Sequence, residues 1–324
     1  MSQRVLEVGG LAAGFCGRLY QHAGADVVRI DQPEPDGDAW VSDEALEIFL
    51  HQGKRRVASG DRDLIRELAA SADVLVMEGT PRALAALGWY DLQAPEVRVA
   101  ITPFGLTGPQ KDWLATASTL LAMGGYTLIM GDPDRAPLTL PGHFVQYQAG
   151  QHAYIAANAL ALEGASNQTA DISMWETVLS LSQFTTVMWT SSQEIRQRHG
   201  SDFGLLYPIN LFPCADGWFH VNVVPTFWGP FTRMLGMPEL ETDSRFALPQ
   251  QRRDNKAALD AIIIERLSGR TRAEIMQLGE QSRVPTGILQ TLPEVLNDRH
   301  LAAREFFLDV DGIRVPDVAY RRRT

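Results

Sequence analysis

Short apolar segments alternate with helical patterns through residues 1–110, and this alternation constrains the fold more than any other feature of the sequence. Four segments are short, rich in Val and Ile, and bounded by Gly, Pro or charged residues, which is typical of strands: 5–8, 26–30, 73–77 and 97–101. Between them, residues 12–22 and 61–71 have helical spacing, and Asp61 is a candidate N-cap. Strands that alternate with helices form βαβ units, so the sequence predicts an α/β fold with a mainly parallel sheet.

The predicted secondary structure changes near residue 205. Before that point, residues 146–163 and 171–190 are predicted to form two helices. After it, residues 209–223 predict a β-hairpin with an Asp-Gly turn, and helical patterns follow at 227–236 and 254–268. We therefore expect a large domain over 1–200, a small domain over 205–290, and a return segment over 291–324.

Composition excludes several classes of protein. The chain has 324 residues, 45% of them hydrophobic, and a net charge of −10. An acidic chain is a poor polyanion binder, which argues against nucleic acid as a partner. No apolar run approaches the ~20 residues of a membrane span, and the N-terminus lacks a signal-peptide pattern. The two cysteines, Cys16 and Cys214, are too few for a secreted disulfide scaffold. The expected location is the cytoplasm.

Motif searches leave two features of the N-terminal region open. Gly9, Gly10, Gly14 and Gly17 follow the first strand and suit a phosphate-binding turn, but their spacing is not that of the dinucleotide fingerprint. Tight-turn and packing glycines are the alternative. The basic run 54–56 is either a solvated face or a phosphate contact. The histidines have no zinc-ligand spacing, so no metal is expected.

Seven segments together resemble the family III CoA-transferases, which include formyl-CoA and carnitine CoA-transferases and α-methylacyl-CoA racemase. Their order and spacing are similar to the family pattern over nearly the whole chain. The segments are LYQHAGADVVRIDQP (19–33), GKRRVASGDRD (53–63), ASADVLVMEGTP (70–81), PEVRVAITPFGLTGP (95–109), ADISMWETV (170–178), CADGWFHV (214–221) and VPTGILQTLPEVLNDRHLAAREFF (284–307).

The resemblance implies a fold, a ligand and a set of binding residues. The fold would be a Rossmann-like parallel domain with a smaller α+β domain, and two chains would interlock as a dimer. Coenzyme A, as substrate or ligand, would lie along the large domain. The residues expected to approach CoA are Ala13, Gly14 and Phe15. Those expected to face its phosphates or adenine are Arg29, Lys54 and Arg55. Those expected to shape the pantetheine channel are Gly105, Thr107 and Gly108.

The position of the family's catalytic residue is occupied by an amide. The resemblance places a nucleophilic aspartate four residues before a glycine of an Ala-rich helix; here that glycine is Gly150 and the residue is Gln146. No Asp or Glu occurs between Asp134 and Glu163. A glutamine amide cannot ionise and is a poor nucleophile. The racemase branch would also need a histidine near 113–119, where there is none.

Two hypotheses of function follow from the resemblance and from Gln146. In the first, the chain is a subunit of a heteromeric transferase that moves CoA between an acyl-CoA and a carboxylic acid, and an Asp-bearing paralogue supplies the nucleophile. In the second, it is a catalytically inactive homo-oligomer that binds CoA or regulates. An active transferase with an unconventional nucleophile is a more remote third possibility.

Overall fold

A parallel sheet forms the centre of the first part of the chain. The structure is a computed structural model that describes residues 2–31, 44–164 and 167–320. Six strands of these described residues build the sheet: Arg4–Val8 (β1), Asp26–Asp31 (β2), Arg55–Ala58 (β3), Val74–Glu78 (β4), Val97–Thr102 (β5) and Gln168–Ser173 (β6). All neighbours pair in parallel, in the order β3-β2-β1-β4-β5-β6. The order reverses between β1 and β4, as in a doubly wound, Rossmann-like fold.

Helices cover both faces of the sheet. Alternate residues of β4 belong to different cores: Val74 and Val76 pack in the cluster that contains α1 and α6 residues, whereas Leu75 and Met77 pack with Ile65 of α3. Burial on both faces explains why β4 is apolar from Val74 to Met77. The helices are Leu11–His22 (α1), Glu44–His51 (α2), Arg62–Ser71 (α3), Pro81–Ala86 (α4), Ala117–Met123 (α5), Phe144–Leu162 (α6), Met174–Leu181 (α7) and Gln183–Ser192 (α8).

The chain divides into two compact units. The first comprises the described residues of 1–127, 139–195 and 299–324, and the second comprises 128–138 and 196–298. The predicted domain limits, 1–200, 205–290 and 291–324, stay a prediction. The second unit contains Ile209–Cys214 (β7), Gly217–Asn222 (β8), Trp228–Met234 (α9), Pro249–Asp254 (α10), Lys256–Leu267 (α11), Arg272–Ser282 (α12), Thr286–Ile288 (β9) and Leu292–Leu296 (α13).

An antiparallel sheet organises the second unit. Its order is β7-β8-β9, and Cys214 pairs with Gly217 across the hairpin turn. Inward residues such as Phe212 and Phe219 pack against Phe231 of α9 and Ile263 of α11. The first unit then resumes with Arg299–Ala303 (α14), Phe307–Val310 (β10) and Ile313–Pro316 (β11).

The structure confirms the α/β class and most predicted elements. Four predicted strands correspond to β1, β2, β4 and β5, the hairpin is present, and Asp61 caps α3 by accepting the N–H of Asp63 at 2.9 Å. The helix predicted over 171–190 is wrong at its start and at its middle. Residues up to Ser173 belong to β6, whose side chains are largely exposed, and Ser182 separates α7 from α8.

A close helix crossing holds α6 against α1. A Cβ on Gly150 would lie 2.5 Å from the carbonyl oxygen of Ala12 and 3.1 Å from the N of Cys16. Real Cβ atoms do not approach backbone oxygen this closely, so only glycine permits this separation of the two helices. Gly150 therefore sets where the first turn of α6, which contains Gln146, lies relative to α1.

We expect Gly150→Ala to destabilise the chain by roughly 1–3 kcal/mol, because α1 and α6 must move apart to accept the methyl group. Urea unfolding followed by circular dichroism measures the change. Gly269→Ala is the matched control, since a Cβ there meets no atom within 4 Å. Equal stability of the two variants would contradict the role given to Gly150.

Candidate active site

The carboxyl ends of the central strands define the candidate site. β1 ends at Val8 and continues through Gly9 and Gly10 into α1, and the neighbouring strand β4 ends at Glu78. Ligands of open α/β sheets bind in the crevice at this edge, where the strand order reverses. The residues around the start of α1 therefore border the candidate site.

Glu78 is bound to the first turns of α1. Its carboxylate accepts the N–H of Ala13 at 2.8 Å. Burial raises the pKa of Glu78 to about 7, although the N–H groups of Ala13 and Ala12 and the charge of Arg29 oppose the rise. Sequence reasoning missed this residue. The signal available was an acidic residue at the end of a buried strand, next to a glycine pair that follows the neighbouring strand.

A buried ion cluster lies beneath α1. Glu7, on β1, is inaccessible to solvent, and its two carboxylate oxygens pair with Arg29 of β2 and with Lys54. The Lys54 Nζ lies 2.5 Å from Glu7 Oε2 and also donates to the carbonyl of Gly14 at 2.7 Å. The Arg29 guanidinium additionally binds Asp31 at 2.6 Å and the carbonyl of Gly9 at 2.8 Å. The cluster thus joins three adjacent segments of the sheet to α1.

Opposite effects act on the two cations of the cluster. Burial lowers the pKa of Lys54, and the Glu7 carboxylate only partly offsets this. Burial also disfavours the charged form of Arg29, but the charge and hydrogen bonds of Glu7 and the hydrogen bond to Asp31 raise its pKa on balance. The Glu7 carboxylate therefore favours the charged form of both side chains and opposes the effect of their burial.

The three residues predicted to contact CoA phosphates or adenine each pair with an acidic residue of the chain itself. The side chains of Arg29 and Lys54 are 5% and 0% exposed, and each is already held by Glu7. Arg55 is 67% exposed and pairs at 2.6 Å with Asp26, the first residue of β2. Arg55 itself begins β3, so it lies towards the amino ends of the strands, away from the edge that bears Glu78. Binding of CoA phosphates by these three residues stays a prediction.

The other predicted contact residues lie at the carboxyl edge. Ala13, Gly14 and Phe15 belong to the first turns of α1, and Gly14 leaves room for His51, whose Cε1 would lie 3.0 Å from a Cβ there. The Phe15 ring packs against the ring of Tyr147, with centroids 4.8 Å apart. Their contact with CoA stays a prediction.

A loop after β5 contains Gly105, Thr107 and Gly108. The N–H of Gly105 donates to the buried Thr102 Oγ1 at 2.6 Å, and the N–H of Leu106 lies 3.0 and 3.1 Å from the two carboxylate oxygens of Asp171. Gly105 and Gly108 have φ values of +91° and +93°, which favour glycine. Asp171, on β6, therefore holds this loop. Sequence reasoning quoted the segment that contains it but gave Asp171 no role.

Gln146 lies in the first turn of α6 and is only 5% exposed. It is one helical turn before Gly150, so the close crossing places it near α1. His143 precedes the helix as its N-cap residue, and the His152 ring nitrogen lies 2.9 Å from the carbonyl oxygen of Gln148 within the helix. Position 146, which the resemblance predicts to be the nucleophile position, thus bears an amide on a closely packed helix; its role stays a prediction.

The described residues were also compared with the requirements of a metal site and of a membrane span. Within residues 2–31, 44–164 and 167–320, no group of three or more His, Cys, Asp or Glu side chains is placed to hold a metal ion. In the same ranges, no helix combines the length and the apolar character needed to cross a membrane.

Comparison with known proteins identifies the family. A family model described as CoA-transferase family III matches residues 2–321. The chain is 30% identical over 339 residues to succinyl-CoA–D-citramalate CoA-transferase of Chloroflexus aurantiacus, covering 97% of this chain and 83% of the relative. It is 27% identical to the succinyl-CoA–L-malate CoA-transferase beta subunit of the same organism, covering 93% and 80%. The chain belongs to CoA-transferase family III.

A solved structure supports the fold assignment. The CAIB/BAIF family protein from Brucella suis superposes with a TM-score of 0.83 at 25% identity, covering 99% of this chain and 91% of that one. This chain therefore shares its fold with that protein.

Replacing Lys54 with Met should lower stability by roughly 3 kcal/mol, because Glu7 would keep only one of its two cations in a site without water. The neighbouring substitution Arg55→Met is the control, since its exposed ion pair with Asp26 should contribute at most ~1 kcal/mol. Urea unfolding at neutral pH measures both. Similar losses for the two variants would show that the Glu7 cluster is no more important than a surface ion pair.

Proposed function

We propose that this chain binds CoA or an acyl-CoA and is the subunit without a nucleophile in a heteromeric transferase that moves CoA between carboxylic acids. Gln146 is the observation that carries the proposal. The family resemblance places the catalytic aspartate at this position, and residues 135–162 contain no Asp or Glu that could replace it. An Asp-bearing paralogue would supply the carboxylate.

The chemistry of transfer explains why the amide matters. In the family mechanism implied by the resemblance, a carboxylate attacks the thioester carbonyl, the C–S bond breaks, and the CoA thiolate leaves a mixed anhydride. The Gln146 amide carries no negative charge and cannot form that anhydride. It can still donate a hydrogen bond to a carbonyl and accept one, so it could orient an acyl group.

The relatives include subunits of a heteromeric transferase, which supports the hypothesis that this chain is such a subunit. The succinyl-CoA–L-malate transferase is represented by its alpha and beta subunits, at 25% and 27% identity, whereas the D-citramalate enzyme is named without subunits. The alternative for this chain is a catalytically inactive homo-oligomer that binds CoA. Co-purification with an Asp-bearing paralogue distinguishes the two, since only the heteromer requires that partner.

Exposed apolar side chains support assembly with a second chain. The helices α7 and α8 present large apolar residues to solvent: Leu179, Leu181, Phe184, Val187 and Trp189 are between 37% and 53% exposed. Several large apolar side chains exposed on neighbouring helices are typical of a surface that another protein covers. We propose that the second chain of an interlocked homodimer or heterodimer covers it.

Acyl-enzyme trapping tests the catalytic proposal. We expect no trapped acyl adduct on residues 135–162 after incubation of this chain with succinyl-CoA and hydroxylamine or borohydride, because it has no carboxylate at 146. Gln146→Asp restores the carboxylate and should become labelled if a thioester reaches this position. Gln146→Asn, which stays neutral, is its control. Mass spectrometry locates the label.

With an Asp-bearing paralogue present, the label should appear on the paralogue alone and CoA exchange should begin. An adduct on the unmodified chain would contradict the proposal. Calorimetry with CoA tests the binding step separately: a folded chain that binds no CoA, alone or with the paralogue, would remove the ligand from the proposed function.

A dilution series tests the assembly. An interlocked dimer buries surface on a scale typical of obligate complexes, so unfolding should be coupled to dissociation. The melting temperature should therefore decrease as the protein is diluted. Light scattering and calorimetry measure mass and melting temperature on the same samples. A folded 35.8 kDa monomer at low micromolar concentration, with a concentration-independent melting temperature, would rule out the interlocked dimer.

A further inference from the structure

A carboxylate of the chain itself occupies the place where open α/β sheets hold anionic groups. In such sheets, phosphates lie on the N-terminus of the helix that follows the first strand, at the point where strand order reverses. Here the order reverses between β1 and β4. At this point Glu78, the last residue of β4, accepts the N–H of Ala13 from α1 at 2.8 Å.

The glycine pair before α1 lies in close contact with Glu78. A Cβ on Gly9 would lie 2.6 Å from the carbonyl oxygen of Glu78, and a Cβ on Gly10 would lie 2.9 Å from its Oε1. In dinucleotide-binding folds, glycines at this turn let the backbone approach a pyrophosphate. In this chain Gly9 lets the turn approach the main chain of Glu78, and Gly10 lets it approach the Glu78 carboxylate.

We propose that Glu78 is a specificity determinant that acts as a built-in anion and closes the phosphate position at the start of α1. Its carboxylate uses an N–H group that a phosphate would need, and its negative charge repels a second anion in the same space. Dinucleotide-type ligands are thereby excluded. Given the proposed function, the part of a CoA ester that lies over this turn is one of its uncharged parts.

Chemical rescue tests the proposal without using CoA. Glu78→Ala removes the carboxylate and leaves a space bounded by N–H donors. The melting temperature of this variant is measured at pH 8 in sodium formate, in inorganic phosphate and in sodium chloride of equal ionic strength. We expect a lower melting temperature than that of the wild type in chloride. Formate and phosphate should recover part of the loss in a saturable manner.

Three controls make the result specific. The wild-type chain and Glu163→Ala, which removes an exposed glutamate at the end of α6, should respond to formate and phosphate no more than to chloride. Glu78→Gln keeps the space filled by a neutral isostere, so it should also show no specific response. Equal stabilisation of wild type and Glu78→Ala by phosphate would show that the position was never closed, and would overturn the proposal.

The remaining outcomes also decide the question. A folded Glu78→Ala that ignores both anions, or a Glu78→Gln that gains as much from formate as Glu78→Ala does, would overturn the proposal. If Glu78→Ala does not fold in chloride, its refolding yield is compared between formate and chloride, and equal yields would count against it. Failure of CoA binding would be seen in the calorimetry above and would leave these anion responses unchanged.

Discussion

The buried charge of Glu7 is the constraint on which the sheet and its first helix depend. An isolated carboxylate inside a protein costs several kcal/mol, so its partners must be in place whenever the chain is folded. Arg29 comes from β2, and Lys54 immediately precedes β3. Lys54 also binds a backbone carbonyl of α1. A single carboxylate thus links the three strands on one side of the sheet to the helix that borders the candidate site.

Close backbone approach is the second constraint, and glycine meets it in two places. At Gly150 it lets α6 cross α1 at a separation that a methyl group would forbid. At Gly9 and Gly10 it lets the chain turn against Glu78. Both contacts lie at the start of α1. The geometry of the candidate site therefore follows from backbone packing first and from side-chain chemistry second.

The sequence predicted the parts of the fold whose signal is local. Strands β1, β2, β4 and β5 are rich in buried Val, Leu and Ile, so the sequence pattern alone identifies them. The edge strands β3 and β6 have polar, largely exposed residues and do not show that signal. Resemblance to the family located the position of Gln146, which no periodicity could have done.

The charged residues show why the site was harder to predict than the fold. Lys54, Arg55 and Arg56 are adjacent in the sequence and were considered together, yet Lys54 is buried against Glu7 while Arg55 is exposed beside Asp26. Arg55 is the first residue of β3 and pairs with Val28, whereas Lys54 precedes the strand and reaches Glu7 of β1. A buried acid within an apolar strand was the one available clue, because such a residue requires a cation.

Glu7, Glu78 and Asp171 are each engaged by other groups of the protein. A nucleophile must present an unpaired oxygen to the thioester carbonyl. The two oxygens of Glu7 are saturated by Arg29 and Lys54 in a site without solvent. The Glu78 carboxylate is bound to the backbone N–H of Ala13 in α1 at 2.8 Å. Asp171 holds a loop N–H with both oxygens. Each of these acids has a structural use that attack on an acyl group would interrupt. These contacts support the proposal that another chain supplies the catalytic carboxylate.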